Sequence, residues 1–107
     1  MISIQDLQKA ELKIGKVVAV DDHPNADKLM VLRVDMGEER PRTLVAGLKG
    51  YYEDEELMGK DLVVVANLEP AMLRGVKSEG MLLAAQEGET VSVLTVDRAV
   101  SPGSPVS

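Results

Sequence analysis

RTLVAGLKGYYEDEELMGKDLVVVANL, residues 42–68, decides the fold. RTLVAGL (42–48) has the composition of a strand. DLVVVANL (61–68) is almost wholly apolar, as a strand covered on both faces must be. Between them Asp54 and its neighbouring glutamates suit the positive N-terminal end of a short helix, and Gly59 suits its C-terminal end. The stretch therefore predicts strand, short helix, strand.

Working outward, KLMVLRVDM (28–36) alternates. Met30, Leu32, Val34 and Met36 share one face, and Arg33 and Asp35 the other. LKIGKVVAV (12–20) is rich in β-branched residues, and its alternation slips at Gly15, which predicts a bulge or sharp bend. DDHPNAD (21–27) clusters turn formers into a loop. Ile4, Leu7 and Ala10 predict one or two helical turns leading into the domain. Residues 69–79, with Pro70 and Gly75, read as an irregular excursion. Segments 80–86 and 91–96 predict two more strands, and SPGSPVS ends the chain. Three strands, one short helix and two or three further strands describe an all-β, Greek-key barrel of the OB type. An SH3-like barrel is the rival, and the helix after the third strand argues against it. One domain is expected over 1–107, with its core at about 10–86 and a C-terminal extension at about 88–107.

A chain of 107 residues, 45% hydrophobic and 28% charged, has the balance of a globular domain. It contains no cysteine, which excludes a disulfide framework, a zinc–thiolate site and a cysteine nucleophile. No window is apolar enough to span a membrane, and MISIQDLQKAELK lacks the apolar run of a secretory signal, so a cytoplasmic location is expected. The net charge of −6 argues against a grip on phosphates by bulk charge. That charge is uneven: residues 1–49 hold eight basic and eight acidic side chains, and residues 50–107 hold four and ten. An anionic partner is thus expected at the N-terminal half. Tyr51 and Tyr52 are the only aromatics, too few to stack single-stranded bases.

No constellation supports catalysis. His23, beside Asp21 and Asp22, reads as a solvated turn residue rather than a metal ligand, since a site needs three or four ligands. Ser78 lies in VKSEGM, outside a nucleophile elbow, and no histidine follows it. Glu53 to Glu56 lack the alternating ligands of a calcium loop. No cofactor is implied. The basic residues are more informative. Lys28 opens strand two, Arg33 leaves its polar face and Arg42 opens strand three, all on the face that OB barrels turn to ligands. Arg74 and Lys77 lie in the excursion that follows. On placement alone, these are better explained as surface charges paired with Asp27, Asp35 or Glu79.

HPNADKLMVLRVDMGEERPRTLVAGL followed by LMGKDLVVVANLEPAMLRGVKSEGMLLAA resembles the tRNA-binding domain family, which includes the C-terminal domain of methionyl-tRNA synthetase and stand-alone relatives. The likeness runs from about Ile4 to the PGSPV tail. It implies a non-catalytic OB-fold module that recognises tRNA by shape, largely without reading bases. It also implies a homodimer, formed in part by the chain after the barrel, and a methionyl-tRNA synthetase catalytic body as a partner. Lys28 matches the lysine of the family's N-A-D-K turn and would contact phosphate. Ser78 and Met81 match the serine and methionine of its S-x-G-M segment; Ser78 would hydrogen-bond to phosphate or ribose, and Met81 would either pack in the core or touch ribose. Arg33, Arg42, Arg74 and Lys77 are added by placement. The sequence departs from its more basic relatives at Glu69 and Met72, where many carry lysine or arginine. That departure, with the charge of −6, motivates the alternative of a protein-interaction or dimerisation module with little RNA affinity. HPNADKL and ANLEPAMLRG follow the synthetase branch of the family rather than its export-related chaperone branch.

Overall fold

The computed structural model describes residues 1–107. Strand β1 (Leu12–Asp22) is long because it serves two partners. Leu12–Lys16 pair antiparallel with β4 (Asp61–Val65), and Lys16–Asp22 with β2 (Met30–Asp35). Gly15 lies where the strand changes partner. A Cβ there would stand 2.6 Å from Met36 Sδ, so only glycine lets the two halves of the barrel approach. The register slip itself falls three residues later, between Val17 and Ala19, and leaves Val18 exposed.

β2 pairs along its length with β3 (Arg42–Ala46), giving the order β3-β2-β1-β4-β7, where β7 is Met81–Leu82. The chain ahead of β7 closes the barrel against β3. The Glu79 amide donates to Thr43 O at 2.8 Å, and the Val45 amide donates to Ser78 Oγ at 3.0 Å. The alternation of β2 is realised: Met30, Leu32, Val34 and Met36 are buried in one core with Val17, Leu44, Leu48, Leu62 and Val64.

Helix α2 (Asp54–Leu57) stands between β3 and β4, as the OB reading requires. The Glu53 amide donates to Glu56 Oε1 at 2.8 Å, and Gly59 ends the helix at φ +80°. Leu57 is fully buried and fills the barrel from this side. Helix α1 (Ile4–Gln8) is started by Ser3, whose Oγ accepts from the Asp6 amide at 3.1 Å; it buries none of its own residues.

Three expectations need correction. Residues 69–79 are not irregular throughout: β5 (Ala71–Leu73) and β6 (Val76–Ser78) form a two-stranded hairpin. The predicted strand at 80–86 is two pieces, β7 and β8 (Ala84–Glu87), because the chain breaks at Leu83 to leave the barrel sheet. The strand predicted at 91–96 is β9 (Thr90–Val93), which pairs with β8 and lowers Val93 into the core. The tail also returns to the barrel. β10 (Pro105–Val106) pairs with Leu12 and Lys13, and Ser104 O accepts from the Ile14 amide at 2.9 Å.

Candidate nucleic-acid interface

The hairpin β5–β6 leans over the outer face of β2 and β3 and leaves a groove of about 480 Å³. Arg33, Arg40, Pro41, Thr43, Lys77 and Glu79 are among its walls. Arg33 projects from the polar face of β2, since its neighbours Leu32 and Val34 point into the core. Lys77 projects from β6 opposite Met72. Arg33, Arg40 and Lys77 take part in no ion pair, and neither does Lys28, exposed on the loop between β1 and β2. Three cations without an ion pair thus share the groove with one carboxylate, Glu79.

Arg74 stands beside this groove at the hairpin tip. Its Nη2 donates to Asn25 O at 3.3 Å, and it is the one non-glycine residue at positive φ, 53°. Arg40 was missed in the sequence. It follows Glu38 and Glu39 directly, and nothing in that run tells which cation Glu38 pairs with; in the fold it is Arg42.

Arg42 and Ser78 are occupied inside the fold. Arg42 donates to both carboxylate oxygens of Glu38, at 2.9 and 2.8 Å, and to the carbonyls of Ala66 at 2.6 Å and Glu79 at 3.2 Å. This contact raises the Arg42 pKa and holds the Glu38 carboxyl below its usual range, chiefly through the hydrogen bonds between them. Ser78 is 4% exposed; its hydroxyl donates to Gly80 O at 3.0 Å while accepting from Val45. Met81 is 50% exposed, so it is not a core residue; it lines a separate apolar hollow with Leu48, Tyr51 and Val91. Met72 and Glu69 are exposed as well.

His23 corrects the sequence reading most sharply. It is 6% exposed, not solvated, and both ring nitrogens have partners. Proline and aspartate neighbours signalled a turn, but nothing local signalled a hairpin fifty residues away folding over the ring.

Barrel and hairpin together define a small OB-type module with an open polar groove on its outer face. The model of the tRNA binding domain family matches residues 12–105, and the chain belongs to that family. Its sequence is 57% identical to the methionine–tRNA ligase of Pyrococcus furiosus, aligned over 98% of this chain and 14% of the ligase. Against the ligase of Thermotoga maritima the values are 50%, 99% and 17%. The chain thus spans about one seventh of the length of the curated relatives it matches. Among solved structures it superposes on a MetRS-related protein from Pyrococcus horikoshii with TM-score 0.90 at 33% identity, over 99% of this chain and 97% of that one. A CsaA chaperone from Picrophilus torridus gives TM-score 0.92 at 28% identity, each chain covered fully. The ligase relatives, near half identical, agree with the synthetase-branch motifs read in the sequence.

Proposed function

We propose that this chain binds tRNA at the groove between β2, β3 and the β5–β6 hairpin, recognising the shape of the folded backbone rather than its bases. The observation that carries this reading is the set of cations without an ion pair at the groove, Arg33, Arg40 and Lys77, with Arg74 at the tip of the hairpin that bounds it. Lys28, Arg33, Arg40, Arg74 and Lys77 are assigned to phosphate. Arg42 and Ser78 are assigned to positioning, because they tie the hairpin's return strand to β3. Met81, free of the core, remains available to a ribose. With two tyrosines and no stacking platform, backbone and 2′-hydroxyl geometry is the readable feature of the ligand.

The module has no chemistry of its own in this reading. It serves as, or together with, an accessory part of a methionyl-tRNA synthetase in the cytoplasm, raising the concentration of tRNA near the catalytic body. It acts as a homodimer, for which α1 and β10 supply an unpartnered apolar face. Anisotropy titrations with a folded tRNA and with a single strand of equal length test the proposal. Tighter binding of the folded RNA, weakening steeply with salt, is expected. Equal or negligible binding of both would favour a protein-interaction module instead.

A further inference from the structure

His23 follows the turn-rich end of β1, and the Asn25 backbone amide donates to its Nδ1 at 2.9 Å. Nδ1 therefore carries the lone pair, and the neutral ring carries its hydrogen on Nε2. Nε2 stands 2.9 Å from Leu73 O and donates to it. One ring thus closes its own turn and reaches across to the hairpin. Beside it, Asn25 Nδ2 donates to Arg74 O, and Arg74 Nη2 to Asn25 O, both at 3.3 Å.

The hairpin has little else to hold its tip. All of β5 is exposed, and β6 is joined to the barrel at its far end, where Ser78 is buried against β3. No residue from 71 to 77 belongs to the hydrophobic core. The shortest tie between the tip and the body is the imidazole bond to Leu73.

We propose that His23 is a positioning residue of the RNA groove, acting at the hairpin tip as Arg42 and Ser78 act at its base. Its Nε2–H···O bond to Leu73 holds the hairpin tip so that Lys77 faces the space lined by Arg33 and Arg40, with Arg74 alongside. This rests on the groove being the tRNA contact. His23 touches no ligand itself; it fixes where two of the cations stand.

The two ring bonds can be separated by substitution. In His23→Gln the amide nitrogen lies near the place of Nε2 and keeps the bond to Leu73. In His23→Asn the side-chain oxygen lies near the place of Nδ1 and keeps only the local turn. Binding of a fluorescent folded tRNA would be followed against salt for both variants. The same titration would be run for Arg74→Gly/Lys77→Ala, alone and combined with His23→Asn. Two phosphate contacts are worth about 1.4 to 1.8 units of the log–log salt slope. We expect the Arg74/Lys77 pair to lose about that much, His23→Asn to lose most of it, and the combination to lose little more than either. His23→Gln should bind as wild type does. Amide exchange at 73–78 should quicken in His23→Asn while β2 and β4 stay protected.

Wild-type binding by His23→Asn, equal losses in Gln and Asn, or full additivity with the Arg74/Lys77 pair would overturn the assignment while leaving the groove intact. An Arg74/Lys77 pair without effect in the wild-type background would overturn the groove, and the assignment with it. Collapse of the whole barrel in His23→Asn would make His23 a residue of the fold, and so also overturn the assignment.

Discussion

Arg74 shows how much a single position can carry. With φ values of 53° and 90°, Arg74 and Gly75 form the two-residue turn of the hairpin, in which both central residues are left-handed. Asparagine or glycine adopts that conformation readily, whereas a long side chain there costs on the order of 1 kcal/mol. An arginine kept where the backbone prefers otherwise points to the side chain's charge as its use. Arg74→Asn is expected to raise stability by about 0.5 kcal/mol or more, seen as a higher melting temperature. It should also weaken tRNA binding and flatten the salt slope by about 0.7 to 0.9. A variant that gains stability and binds as before would remove Arg74 from the interface. The sequence displays residue types and not their partners, which explains what was readable. Arg33 was legible because Leu32 and Val34 fix the face it leaves. Arg40 was not, since the sequence alone does not tell whether Glu38 pairs with Arg40 or with Arg42, and the fold pairs it with Arg42.

Strand β2 and the hairpin β5–β6 mark the two ends of legibility among elements. β2 alternates because one face is core and the other is not, so its pattern is its structure. Every residue of β5 is exposed, and Pro70 and Gly75 flank and split the hairpin, so no apolar rhythm announces it. What holds its return strand is polar, and centres on Arg42. Arg42→Gln would leave the carbonyls of Ala66 and Glu79 short of a donor, a loss of about 1 to 3 kcal/mol. Because the Arg42 charge is already met by Glu38, the tRNA salt slope should stay near wild type. The pair also carries a pH signature. Glu38 is held below the usual 4.5, so its contribution is complete above that value and fades as pH falls through the depressed one. Melting curves from pH 7 to 3 should show the difference between wild type and Arg42→Gln narrowing over that acid range. The hairpin also tests the departures at 69 and 72. Met72 is 66% exposed and opposite Lys77, so lysine there adds a cation without disturbing the core. Glu69→Lys/Met72→Lys is expected to bind tRNA more tightly, most of all at low salt. Two lysines side by side would cost about 0.2 to 1 kcal/mol in the melting curve. An intact variant with unchanged affinity would place this segment away from the RNA.

In a molecule of net charge −6 the groove's three cations act locally, with Glu79 among them. A second surface of the molecule is apolar instead. Met1, Ile2, Ile4 and Leu7 are all exposed, and α1 buries nothing although its apolar residues recur on one side. An apolar hollow of about 340 Å³ lies between α1 and the paired β1 and β10, with Ile4, Leu7, Leu12 and Val106 on its walls. Burial of such a surface against a second copy would stabilise a dimer by the ordinary hydrophobic term. Sedimentation at micromolar concentration should therefore give about twice the 11.5 kDa of the chain. Ile4→Asp/Leu7→Asp should give the single mass, because charges on that face resist burial. Since α1 contributes no residue to the core, the variant's barrel should keep its secondary structure and its groove. The separated chains should still bind tRNA, but with lower apparent affinity, because a second groove is no longer held close to an RNA already bound at the first. A wild-type chain that sediments as a monomer would refute the dimer outright. A variant that becomes monomeric and binds tRNA as tightly as before would show instead that each groove works alone.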